Sequence, residues 1–219
     1  TAKAVAGGVA AHLAGGTITD CVNNAVVFTD GGTTPNGNKE DGASRLGAAG
    51  GIVGNVMTGS TVTDCVNKGA VTCANSNKGG RAGGIIGLID SADDKVTIAR
   101  CGNEGGVDAY QYSGGIVGLN FSKSAPIDAC YNTGRVIGHS SGSTYVGGIT
   151  AMTYSDITNC WNSGDYAIYA DGTAGNKAAH LAGIVSDLMS PAKIINCYNI
   201  GTGYYGGAAT FATSVGAIC

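Results

Sequence analysis

The stretch Ile127-Asp128-Ala129-Cys130-Tyr131-Asn132-Thr133-Gly134-Arg135-Val136 decides how this chain is read. Variants of it occur six times, centred on Cys21, Cys65, Cys101, Cys130, Cys160 and Cys197. Three positions before each cysteine stands Ile18, Val62, Ile98, Ile127, Ile157 or Ile194, always β-branched. Two positions after it stands Asn23, Asn67, Asn103, Asn132, Asn162 or Asn199, without exception. Four after it come Ala25, Gly69, Gly105, Gly134, Gly164 and Gly201. Repetition this regular speaks to architecture before it speaks to chemistry.

A second motif precedes each block, in its fullest form Gly-Gly-Ile-Val-Gly at 114–118. Its apolar anchors Val9, Ile52, Ile85, Ile116, Ile149, Ile184 and Ile218 are separated by 43, 33, 31, 33, 35 and 34 residues. A period in the low thirties also suits helical arrays, but glycine and β-branched residues are poor helix formers. Short β-type runs punctuated by Gly and Asn predict two or three strands per period. Stacking such periods pairs each strand in parallel with its counterpart in the next. The reading is all-β, a right-handed parallel β-solenoid (β-helix) of about six coils with a period near 31–35 residues, the hand following the crossover rule. Residues 1–219 form one repeat domain with a loop insertion at about 28–49, and the chain reads as part of a longer protein.

Four columns then line the core: the anchor isoleucines, the Ile/Val three before each cysteine, the cysteines, and Val27, Val71, Val107 and Val136, continued by Tyr166 and Gly203. One conflict follows from alternation, because inward residues three apart cannot share an unbroken strand. A bend is therefore expected near Thr19-Asp20 and Thr63-Asp64; the alternative is an outward cysteine ladder. The asparagines are expected to stack and hydrogen-bond down the axis.

Composition narrows function by exclusion. Glycine is 39 of 219 residues without a three-residue period, which rules out a collagen helix. Only 12% of residues are charged and 43% are hydrophobic, which argues against disorder. A net charge of −3 gives no basic footprint for nucleic acid. No apolar run reaches the roughly 18 residues a spanning helix needs, so the chain is not expected to be transmembrane. The eight cysteines form no Cys-x-x-Cys pair, and six share one repeat position, so they fit a stacked small hydrophobe better than a metal cluster. His12, His139 and His180 fall in different parts of the period, and no metal or other cofactor is expected.

The block Gly-Gly-Ile-Val-Gly-Leu at 114–119, followed by Ile-x-x-Cys-Tyr-Asn-x-Gly-x-Val, resembles the GLUG-type repeat of bacterial cell-surface proteins. Such repeats occur in adhesin-like proteins and beside IgA-specific metallopeptidase modules. The likeness runs from Gly8 to Cys219, departs from the repeat at 28–49, and includes no His-Glu-x-x-His zinc motif. It implies a secreted or surface-attached bacterial protein.

The outer faces carry the candidate binding residues. Tyr131, Trp161 and Tyr198 each follow a cysteine and form a potential outer aromatic row. Val53, Ile86, Val117 and Val185 follow the anchor isoleucines and should point outward by alternation, as an interface or as a floor beneath a loop. Asp20 and Asp64, stacked beside Arg100, would suit an acid and nucleophile of a polysaccharide-cleaving β-helix, but a turn-capping role fits a Thr-Asp setting better. Asp90, Asp93 and Asp94 are candidate calcium ligands, with a solvated turn the preferred reading. The expected function is non-enzymatic: a structural or adhesive module binding host or neighbouring-cell glycan, matrix or protein through loops and one face. Adjoining repeats or modules of the same polypeptide, and end-to-end self-association, are further expected contacts. The alternatives are a carbohydrate-active β-helix enzyme and a self-assembling fibre or ice-binding solenoid.

Overall fold

A computed structural model describes residues 4–30, 47–74, 79–91, 95–140, 143–170, 178–206 and 213–216. The second coil runs through five short strands, Ala48–Gly50, Val53–Thr58, Thr61–Thr63, Val66–Asn67 and Val71–Cys73. Strands at the same station in successive coils pair in parallel and in register, for example Ala82 with Ala49 and Ser113. Five parallel sheets result, one of seven strands and four of six. The fold is a parallel β-solenoid of six coils, and Thr213–Gly216 adds a seventh strand to the first sheet. Among the described residues every regular element is a strand.

Five strands replace the expected two or three because each coil bends in places that the spacing alone does not show. At the Gly-Gly motif, the amides of Ile52 and Val53 both donate to the carbonyl of Ile85, at 3.0 and 2.9 Å. Ile85 and Ile86 repeat this on Ile116, and Ile116 and Val117 on Ile149. Two consecutive amides on one carbonyl turn the chain and cancel the alternation of faces. Ile52 and Val53 are consequently both in the core, as are Ile85 with Ile86, Ile116 with Val117, and Ile184 with Val185. This corrects the expected outward row: Val53, Ile86, Val117 and Val185 are fully buried. Alternation fails there because it presumes an unbroken strand.

The second bend lies where the spacing required it. Asp20, Asp64, Arg100, Ala129, Asn159 and Asn196, each just before a cysteine, adopt left-handed backbone with φ between 50 and 57°. Asp and Asn tolerate that region and Ala does not, so Ala129 carries a local cost of about 1 kcal/mol. The kink turns Val62 and Cys65, Ile98 and Cys101, and Ile127 and Cys130 to the same inner side. The cysteine ladder is therefore inward.

The two repeat motifs meet across the coil. A Cβ on Gly51 would lie 2.3 Å from Asn67 Cγ, and one on Gly115 would lie 2.4 Å from Asn132 Cγ. Glycine is required there because backbone and amide touch. This close approach pinches each coil into two apolar lobes. One holds the anchor isoleucines, the Ile/Val column and the cysteines. The other holds Ala49, Val71, Val107, Val136 and Tyr166. The Tyr166 ring fills the space a Cβ on Gly203 would take, 2.7 Å away, which explains why that column ends in glycine.

The expected insertion at 28–49 is bounded by strands Val27–Thr29 and Ala48–Gly50. Its remainder, 31–46, lies outside the described residues, as do Asp93, Asp94, the excursions 141–142 and 171–177, and Ile218 with Cys219.

Candidate binding faces

The scaffold uses up most of the repeated polar groups. Asn132 is fully buried, and its Nδ2 donates to the Gly134 carbonyl at 2.8 Å and to Asn162 Oδ1 at 2.7 Å. The same pair of bonds recurs at Asn23, Asn67, Asn103 and Asn162, so the ladder runs unbroken from Asn23 to Asn199. The six cysteines of the repeat position are free thiols. Their sulfurs donate to local carbonyls, Cys130 Sγ to Asp128 O at 3.2 Å for one. Hydrogen bonding with Cys101 and Cys160, with burial, pushes the Cys130 thiol well above its ordinary value. Among the described residues no three His, Cys, Asp or Glu side chains gather as a metal site.

The predicted aromatic row exists on the outer face of the fourth sheet. Tyr131 pairs in register with Trp161, and Trp161 with Tyr198. Ring centroids are 5.1 and 6.0 Å apart with planes within 12 and 5°. This is offset stacking, in which neighbouring rings share faces. The row begins over Gly102, where a Cβ would lie 2.2 Å from the Tyr131 ring. Tyr131 and Trp161 are half-buried, while Tyr198 is 52% exposed. Tyr131 Oη donates to Glu104 at 3.3 Å. The row thus presents ring edges and polar tips along its length and an open ring at Tyr198.

A second row was missed by sequence reading. At the Gly-Gly corner the outer faces of the first and second sheets touch, packing Ala48, Leu88, Leu119, Tyr112 and Met152 together outside the core. The corner is therefore re-entrant, a furrow parallel to the solenoid axis. One wall is the in-register column Arg81, Tyr112, Tyr145 and His180. The other is Asn55, Leu88, Leu119, Met152 and Asp187. Tyr112 and Tyr145 stack at 4.9 Å and 7°, His180 meets Tyr145 edge-on at 4.9 Å, and the Arg81 guanidinium lies 5.9 Å from the Tyr112 ring centroid. His180 Nδ1 and Asp187 Oδ1 close the far end at 2.5 Å. Burial raises the Tyr112 phenol, with the Tyr145 neighbour adding to it. A signal was present: Arg81, Tyr112 and Tyr145 each stand two residues before the first glycine of a Gly-Gly pair.

His139 and His180 serve separate pairs, His139 Nε2 reaching Asp108 on the adjacent strand of its own sheet at 2.9 Å. Asp64 faces Arg100, whose Nε and Nη2 each donate to it at 2.6 Å. Those bonds hold the Asp64 carboxyl below its ordinary value.

No family model matches the chain. Comparisons with curated proteins and with solved structures return no match.

Proposed function

We propose that the chain is a non-enzymatic structural and adhesive module of a secreted or surface-attached bacterial protein. It would bind a glycan, matrix or protein ligand of a host or neighbouring cell along its outer faces. The observation that carries this reading is the outward-facing stacked row of Tyr131, Trp161 and Tyr198, set on a scaffold whose repeated polar groups already have partners. Stacked side chains on paired strands are held rigidly, so little ordering entropy opposes binding. The resemblance of the Gly-Gly-Ile-Val-Gly and Cys-x-Asn repeats to GLUG-type modules supports the same setting.

The enzymatic alternative draws less support. A general acid needs a carboxyl held above its ordinary range, whereas Arg100 holds Asp64 in the opposite direction. Self-stacking end to end meets a steric objection. In successive coils a Cβ on Gly69, Gly105 or Gly134 would lie 1.9–2.0 Å from the carbonyl oxygen of the coil before. Ala25 occupies this station in the first coil, so a second copy stacked in register would collide with its methyl group.

Binding to a panel of immobilised glycans and matrix proteins tests the proposal. A ligand should be found, and Trp161→Ala should weaken it at least about tenfold without altering the far-ultraviolet spectrum. Ligand binding indifferent to Trp161→Ala and Tyr145→Ala, or turnover of a polysaccharide lost in Asp64→Asn, would overturn it.

A further inference from the structure

Six cysteines on one line form a continuous column of thiols through the core, Cys21, Cys65, Cys101, Cys130, Cys160 and Cys197, all free. We propose that this column is a site of disulfide formation between consecutive coils, oxidised from its two ends by a small-molecule disulfide. The inference is independent of any ligand bound outside.

Geometry places neighbours within bridging range. Strands on both sides of Cys65 and Cys101 pair in register, Val62 with Ile98 and Val66 with Gly102. The same holds around Cys130 and Cys160, through Ile127 with Ile157 and Tyr131 with Trp161. In-register parallel strands set neighbouring Cα atoms about 4.8 Å apart, inside the roughly 4.4–6.8 Å that disulfides span, and closing the bond draws the two Cβ atoms in to about 3.5–4.5 Å. The sulfurs also lean along the axis. The amide of Cys101 donates to Cys130 Sγ, that of Cys130 to Cys160 Sγ and that of Cys160 to Cys197 Sγ, each at 3.4 Å. Each sulfur is thus already displaced toward the preceding cysteine.

Access is confined to the ends. Cys65, Cys101, Cys130 and Cys160 are fully buried, whereas Cys21 and Cys197 are partly exposed. The Cys21 thiolate attacks one sulfur of the small disulfide, forming a mixed disulfide and expelling one small thiolate. The Cys65 thiolate then attacks Cys21 Sγ, forming the Cys21–Cys65 bond and expelling the second small thiolate. The two protons given up by the protein thiols end on the two expelled thiolates. Cys197 and Cys160 react likewise at the other end. An end bridge moves inward by exchange: Cys101 attacks Cys65 Sγ and frees Cys21, and Cys130 then attacks Cys101 Sγ and frees Cys65. Thiol–disulfide exchange proceeds through attack in line with the breaking bond, and a column along one axis supplies that alignment. With Cys101–Cys130 formed, Cys21 and Cys65 are reduced again and react a second time.

The test is incubation of the folded protein with oxidised glutathione. Unreacted thiols are then alkylated in denaturant, and bridges are mapped by mass spectrometry without reduction. Wild type should yield Cys21–Cys65, Cys101–Cys130 and Cys160–Cys197. In the folded double variant Cys21→Ser/Cys197→Ser, Cys65, Cys101, Cys130 and Cys160 should oxidise at least tenfold more slowly, and urea should abolish that protection. A wild-type column that stays reduced, or bridges joining non-neighbouring coils, would overturn the proposal. Equal oxidation rates in the folded variant and wild type would remove the end-access route and overturn it as stated.

Discussion

At the scale of single residues, the repeat divides into groups that hold the coil and groups that it displays. Asn132 holds it: two bonds leave from its Nδ2, and a third arrives at Oδ1 from Asn103 at 2.7 Å. Asn132→Leu should lower stability by more than about 1 kcal/mol through unpaired buried partners, read from urea denaturation; an unchanged midpoint would count against the ladder's role. Ala129 offers a test of opposite sign. It adopts φ 50° where the equivalent coils carry Asp or Asn in four cases and Arg100 in one, so Ala129→Asn should raise stability by about 0.5–1 kcal/mol. Loss of stability would mean that the left-handed turn is not the governing cost. The invariant asparagines and cysteines were legible as structural from recurrence alone. The partner of each asparagine was not, because recurrence gives a position and no direction.

At the scale of the element, the corners carry the information. Sequence reading located the bend before each cysteine, since Ile127 and Cys130 could not otherwise share a face. It misplaced Val53, Ile86, Val117 and Val185, since nothing in Gly-Gly-Ile-Val-Gly announces two amides on one carbonyl. The furrow of Arg81, Tyr112 and Tyr145 escaped for the same reason, as a re-entrant corner appears only once the neighbouring sheets are placed. Two glycines separate corner sterics from general tolerance. Gly115→Ala should cost about 2 kcal/mol or more, because its Cβ would lie 2.0 Å from the Gly148 carbonyl oxygen. Gly106→Ala should be nearly neutral, its nearest neighbour being 3.9 Å away. Melting curves of the pair check both, and equal losses would contradict the assignment.

Ion pairing between coils adds a pH dependence at the same scale. Hydrogen bonds from Arg100 lower the Asp64 carboxyl, and hydrogen bonds from Thr158 and then Asn159 lower that of Asp128. A carboxyl with a depressed folded-state value contributes stability above its unfolded value of about 3.9 and loses it as pH falls through the folded value. The melting temperature should therefore decline below about pH 4, and less steeply in Asp64→Asn. Both groups are solvent-accessible, so the change in slope should be small and should shrink further in salt. An unaltered slope in Asp64→Asn would contradict the pairing.

At the scale of the whole molecule, every coil repeats one cross-section, two lobes pinched where Gly-Gly meets asparagine. Such a stack gains stability from each neighbouring coil, and its outermost coils show what neighbours otherwise cover. At the two ends Ile18 and Ile194 are only partly buried, whereas their counterparts Val62, Ile98, Ile127 and Ile157 are buried. Those apolar surfaces invite association, but the Ala25 methyl opposes an in-register junction between copies. Sedimentation should accordingly find no end-to-end filaments at high concentration, and filament growth by wild type would contradict this reading of Ala25.

The central claim is the in-register parallel stack joined by its asparagine ladder. Nuclear Overhauser contacts among the side-chain amides test it most directly. The account predicts that the Asn132 amide protons contact Asn103 and Asn162, 29 and 30 residues away in sequence, and exchange slowly with solvent. Rapidly exchanging amides, or contacts to residues one position out of register, would contradict it.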